Sequence, residues 1–261
     1  MRIGALGSGS DFTPFIQHLG VPSLNIGFGG DGGDGIYHSI YDSYDHYKRF
    51  GDPKFEYGIA LAKTAGRTTL RLANADVLPF DFKGFYRTLN GYLNEVIALT
   101  DNLRESTEVE NQLIDEKRYV YAADPKDKLL PPSKKEPVPF LNFSSLQNAV
   151  TALEKTSTKY AELLAANTKP NTNINNLNRI LFQAEQKLML ENGLPRRPWY
   201  KHSIYAPGFY TGYGVKTLPG VREAIEQRNW KEAQEQIELS AKAIDAYTKE
   251  VEAAARILML R

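Results

Sequence analysis

Tyr37-His38-Ser39 is the segment of this chain best able to do chemistry, because it sets an imidazole and a phenol side by side in a run rich in glycine and tyrosine. Neutral imidazole is the commonest protein metal ligand. A second element is the turn Gly7-Ser8-Gly9-Ser10-Asp11, whose backbone N–H groups could face an anion at a helix start. It lacks both the G-x-G-x-x-G spacing and the lysine of a phosphate loop. Asp31-Gly32-Gly33-Asp34-Gly35 has calcium-loop carboxylates but no completing glutamate, so it reads as a turn. Asn142-Phe143-Ser144 is a formal glycosylation sequon at an expected helix start.

Composition removes whole classes of function. There is no cysteine, which excludes disulfides, thiolate metal sites and cysteine nucleophiles. Lys and Arg total 32 against 31 Asp and Glu, a balance that gives no nucleic-acid or membrane-surface footprint. The opening Met1-Arg2-Ile3-Gly4-Ala5-Leu6 is strand-like and is not read as a signal peptide.

Two kinds of element must position these groups. Residues 1 to 81 are expected to form part of an α/β unit, with strands over Ile3–Leu6 and Ser23–Phe28 and a helix over Asp11–Leu19 between them. Asp52-Pro53 predicts a capped helix carrying Phe55, Ile59 and Ala62 on one face. Two strands cannot make a doubly covered parallel sheet, so this part is expected to be incomplete by itself. From residue 82 onward the apolar spacing turns helical. Phe85 to Leu103, Phe143 to Leu153, Leu177 to Leu188 and Trp230 to Leu258 each give a stripe, with cap signals at Ser144–Gln147 and Asn229–Glu232. The expected domains are therefore 1–81 and an all-α four-helix bundle over 82–261. The five prolines between Asp124 and Pro139 predict a long loop, and a second irregular stretch from Gly193 to Gly220 is rich in tyrosine.

The turn at Gly7, the Tyr37-His38-Ser39 motif and Leu72 to Asp81 together resemble the C-terminal part of the glutamate carboxypeptidase II and transferrin receptor family of zinc exopeptidases and their non-catalytic relatives. The resemblance implies an α/β peptidase segment followed by a dimerisation bundle. It also implies that His38 ligates one ion of a two-zinc site, with Tyr37 as electrophilic assistant. The other ligands of that family lie N-terminal to the matched segment, so the chain alone is expected to be inactive. Ser8, Gly9 and Ser10 would then line the substrate cleft. Tyr213 would belong to a loop that reaches the substrate's terminal carboxylate, and Lys216 could stand in for the family lysine replaced here by Gly212. Asn25 and Gly27 replace arginines that favour acidic substrates. His18, His46 and His202 are expected to be non-ligands. The resemblance further implies a homodimer and a secreted, periplasmic or extracellular parent. Its rival is a dimerisation and binding module without catalysis.

Overall fold

The computed structural model describes residues 4–29, 35–124, 126, 130–166 and 173–259. They fall into two compact units, one of residues 1–22 and 81–261 and the other of residues 23–80.

The larger unit is helical. A π-helical turn, Pro14–Leu19, is followed after the other unit by α3 (Phe82–Asp115), α4 (Arg118–Ala122), α5 (Ser144–Ala166) and α6 (Ile174–Gln183). A 3-10 turn at Ala184–Leu188, strands β1 (Tyr205–Pro207) and β2 (Val215–Thr217), and helices α7 (Pro219–Glu226) and α8 (Trp230–Met259) complete it. The smaller unit holds α1 (Tyr44–His46), a π-helical turn at Tyr47–Gly51 and α2 (Glu56–Ala73). Among the described residues no helix is long and apolar enough to cross a membrane.

The four expected stripes of the bundle are all helices. Leu146, Leu153, Leu177, Leu181, Ile237, Ile244 and Val251 are fully or almost fully buried, which is the usual fate of residues spaced 3 and 4 apart on facing helices. α5 packs along α8, and α3, α6, α7 and the 3-10 turn close round this pair. Phe82 meets Tyr160 and Tyr247 edge to face, with ring centres 4.9 and 5.8 Å apart. The α8 stripe from Ala233 to Leu258 is thus covered within the chain, and its length answers an intrachain need.

The helix starts differ in detail from their sequence signals. Asn229 Oδ1 accepts the Glu232 N–H at 3.3 Å, as its cap signal predicts. At α5 the acceptor is Asn142, whose Oδ1 takes the Ser144 N–H at 3.0 Å. Asn142 is itself fixed by Gln234, which exchanges hydrogen bonds with its backbone N–H and C=O at 2.9 and 3.1 Å, so tertiary contact chose the cap. The proline-rich loop is non-helical over residues 130–143 and is docked along α3 by Asn111, which exchanges hydrogen bonds with the Lys135 backbone.

The expected strands are absent: neither residues 4–6 nor Ser23–Phe28 pair with another strand among the described residues, and Ile3 lies outside them. A strand needs a neighbour for its ladder, and none stands beside these segments among the described residues. The Asp11–Leu19 helix is confined largely to the π-helical turn. α2 begins at Glu56, later than Asp52-Pro53 predicts, yet the Asp52 carboxylate still caps it by accepting the Gly58 N–H at 2.9 Å.

Candidate functional site

The first part of the site is built where the two ends of the larger unit meet. β1 and β2 pair antiparallel, with Tyr205 opposite Thr217 and Pro207 opposite Val215, and the tip Gly208–Gly214 closes the hairpin. Gly208 N–H donates to Gly214 C=O at 2.8 Å, and the Thr211 hydroxyl donates to the same carbonyl at 2.8 Å. Against this tip lies the turn Gly7-Ser8-Gly9. Ser8 N–H donates to Tyr213 C=O at 3.2 Å, and Gly9, at φ +91°, faces the Tyr213 ring where an added Cβ would come within 2.8 Å of it. Only glycine supplies both that backbone and that clearance. At Gly7 an added Cβ would stand 3.0 Å from Val215 N, so this backbone too approaches the hairpin closely. The expected residues Ser8, Gly9 and Tyr213 are therefore brought together, although about 200 residues separate them in sequence.

Buried polar groups hold that geometry. The fully buried Gln17 amide donates to Leu6 C=O at 3.1 Å and to Gly7 C=O, which fixes the turn from beneath. Glu223 on α7 accepts the Phe209 N–H at 2.6 Å and pairs with Arg197 at 2.6 Å, both carboxylate and guanidinium being about nine-tenths buried. Burial lowers the Arg197 pKa, and Glu223 opposes that shift. Breaking such a pair from one side leaves the other charge buried alone, so Glu223 fastens the hairpin to the bundle. Sequence reading missed Gln17, Arg197 and Glu223, since nothing local distinguishes them from surface residues. Ser10 is exposed, and its carbonyl accepts the Thr13 N–H at 3.1 Å.

Among the described residues, three basic groups around the hairpin are committed to acids. Lys216 pairs with Glu226 at 2.7 Å, Arg196 with Glu232 at 2.7 Å, and Arg222 with Glu95 at 2.8 Å. Lys216 is thus bound on its own hairpin side and does not extend as a loose substitute for the missing lysine. Gly212 sits at φ +58° with open space beside it.

The second part belongs to the smaller unit. Ser39 N–H donates to Ile36 C=O at 2.9 Å, closing a turn in which His38 takes φ +60°. That region favours glycine or asparagine, so an imidazole there carries local strain of about 1 kcal/mol. The Tyr37 and His38 rings stack with centres 3.8 Å apart, and Tyr37 is 67% exposed. Ser39 then continues the turn by accepting the Tyr41 N–H through Oγ at 3.1 Å.

These donors do not make up a zinc site. Among the described residues no group of three or more His, Cys, Asp or Glu side chains is placed to hold a metal. One exposed imidazole does not fit a zinc centre, which takes at least three protein ligands. The other histidines are engaged elsewhere. His18 Nδ1 lies 2.7 Å from Trp199 C=O, and the His46 ring packs on Phe50 at 5.0 Å. Buried His202 accepts the Ile204 N–H at Nδ1 over 3.1 Å and meets Glu185 through Nε2 at 2.9 Å. The Asp31–Asp34 run lies outside the described residues.

Comparison with known proteins gives this arrangement a class and then a family. Residues 141–252 match the transferrin receptor-like dimerisation domain, which spans α5 to α8. Along nearly the whole chain, the sequence is 30% identical over 250 residues to the probable glutamate carboxypeptidase LAMP1 of Arabidopsis thaliana. It is 34% identical over 252 residues to a probable glutamate carboxypeptidase of Arthroderma benhamiae and 25% over 263 residues to the aminopeptidase NAALADL1 of Rattus norvegicus. Each alignment covers 93% of this chain and 30 or 31% of the relative, so the chain spans about a third of their length. The chain belongs to the glutamate carboxypeptidase II and transferrin receptor family.

Proposed function

We infer that this chain corresponds to the C-terminal portion of a zinc metallopeptidase that hydrolyses a peptide bond near a free C-terminus. The observation that carries the reading is the reach of the similarity: 93% of the chain, with both Tyr37-His38 and the Tyr213 loop inside it, aligns with proteins named as carboxypeptidases. In this reading residues 1–81 complete an α/β peptidase domain and 82–261 form the dimerisation domain. In the longer parent His38 would be one of the residues holding zinc, and Tyr37 would stand beside it to polarise the scissile carbonyl. Ser8, Gly9, Ser10 and Tyr213 line the substrate cleft. The remaining ligands would come from the part of the longer relatives that this chain does not span, so the chain alone is inert. The zinc would supply Lewis-acid activation when bound. The family resemblance points to a secreted, periplasmic or extracellular parent.

Two measurements test this. In the full-length parent, His38→Ala should lower zinc content, and Tyr37→Phe should lower kcat with zinc retained. Normal zinc stoichiometry in the His38 variant removes it from the coordination sphere. Pairing is tested by sedimentation. A twofold homodimer is expected at micromolar concentration, and Phe140→Ser with Leu239→Lys should weaken it without changing the circular dichroism. Those two apolar side chains are 85% and 40% exposed, whereas the α8 stripe is already covered. The dimerisation domain match also favours a second reading, a pairing module without catalysis. Full-length protein that dimerises but neither binds zinc nor cleaves peptides would select it.

A further inference from the structure

The hairpin tip carries no charge at all: Gly208-Phe209-Tyr210-Thr211-Gly212-Tyr213-Gly214 presents three aromatic rings and no acid or base. Tyr210 is 80% exposed, Tyr213 60% and Phe209 38%, which is a large apolar display for a loop so firmly anchored. Phe209 is fixed by its N–H to Glu223, and Tyr210 meets it edge to face with ring centres 4.7 Å apart. The Arg196 and Arg197 guanidinium groups lie 5.8 Å from the Phe209 ring centre, so that ring is held from the bundle side.

Four cations that flank the tip among the described residues are each matched by a carboxylate. Arg196 pairs with Glu232, Arg197 with Glu223, Lys216 with Glu226 and Arg222 with Glu95. The facing turn from Gly7 contributes one ionisable side chain, and it is an acid, Asp11. Both kinds of substrate, acidic and aromatic, bring a terminal carboxylate, but a second carboxylate on the terminal side chain would find no uncommitted positive group on this hairpin and would lose hydration without return. An aromatic side chain would find exposed rings in a rigid frame, where offset or edge contacts add to area burial.

We propose that the Gly208–Gly214 tip selects peptides whose terminal residue bears an aromatic side chain, with Tyr210 as the main specificity-determining residue. This rests on the reading of the hairpin as the substrate-contacting loop and assigns the substrate class to it. Tyr213 is pinned against Gly9 and forms the wall, whereas Tyr210 is free at the rim to meet the side chain.

Saturation-transfer NMR on the complete 261-residue chain tests it with N-acetyl-Ala-Phe and N-acetyl-Ala-Glu as probes. Transfer to the phenylalanine peptide should be roughly tenfold stronger than to the glutamate peptide, the scale of one good aromatic contact. Tyr210→Ser should remove most of that difference and Tyr210→Lys should reverse it, with circular dichroism unchanged because the side chain is exposed. Equal transfer to both peptides, no transfer to either, or a preference unmoved by Tyr210→Ser each overturns the inference. The peptidase reading fails on other grounds. A full-length parent that cleaves glutamate peptides best sinks the inference and keeps the reading, and one that cleaves nothing sinks the reading while the aromatic binding stands.

Discussion

Helices α8 and α2 both carry an amphipathic stripe, yet α8 buries fourteen of its residues and α2 buries none. The same contrast separates the two units. The helical unit contains the whole apolar core, while Asp52 is the one buried side chain among the described residues from Ser23 to Phe80. Leu24, Phe28, Tyr57, Ile59 and Leu70 are all exposed, at 50% or more. Periodicity states which face of a helix wants burial, and only the tertiary surroundings decide whether a partner is there. For α8 the partner is α5; for α2 none stands among the described residues of its unit.

The largest expected effect tests that contrast directly. Ile244→Lys places a charge in the fully buried core of α8 and should unfold the helical unit. Ile59→Lys, on the half-exposed face of α2, should change stability by no more than about 0.5 kcal/mol. Urea unfolding followed by circular dichroism reads both. A folded Ile244→Lys variant would mean that the α8 stripe is not core, and a strongly destabilised Ile59→Lys would mean that α2 has a covered face.

A second comparison uses pH. Burial pushes the Tyr160 hydroxyl up to about 12 and raises that of Tyr247 well above its ordinary value, while in the smaller unit Tyr47 is raised by burial and by the neighbouring Asp52 carboxylate. A folded pKa above the unfolded one gives stability that is fully present below about pH 10 and is lost as pH rises through the folded value. Tyr160 alone should therefore cost the helical unit about 2–3 kcal/mol between pH 10 and 12. Its hydroxyl has no partner among the described residues, so Tyr160→Phe should leave stability at pH 7 near wild type and raise the urea midpoint at pH 11. An unchanged midpoint at pH 11 would remove Tyr160 from the alkaline transition.

Much of this was legible in the sequence because the helices of the bundle are long and regular. Their stripes, the Asn229 cap and the proline-rich loop follow from spacing and residue type. The strand signals at 3–6 and 23–28 were written in the same code, but residues 4–6 and 23–28 join no ladder among the described residues. Site residues divide the same way. Tyr37 and His38 stand out because they are adjacent, but the contact of Gly9 with Tyr213 depends on chain closure across nearly the whole sequence. Gln17, Arg197 and Glu223 carry no local mark, since a buried polar residue is recognised only by what surrounds it. Lys216 is near Gly212 in sequence, but Glu226 holds it.

Within the smaller unit, hydrogen bonds replace the missing core. Asp52 accepts from the Gly58 N–H at 2.9 Å and from the Tyr47 hydroxyl at 3.3 Å, joining the turn before α2 to its first residues. Asp52→Asn should cost about 1 kcal/mol of local stability, the usual worth of a cap. Hydrogen exchange should show faster opening at Gly58 to Leu61 with no change in α5 or α8. Uniform loss across both units would make Asp52 a global support instead.

A small effect of the opposite sign is expected at His38. Its φ of +60° suits glycine, and Tyr37 stacking at 3.8 Å offsets only part of the strain. His38→Gly should therefore leave the 36–43 turn as stable as before or steadier by up to about 1 kcal/mol, even though an aromatic contact is lost. Exchange protection at Ser39 and Asp42, whose N–H groups close this turn at 2.9 and 3.1 Å, reads the change. A residue kept for packing would lose protection on becoming glycine. A residue kept for its imidazole would lose only what the imidazole binds, so retained protection in the chain with lost zinc in the full-length parent would separate the two.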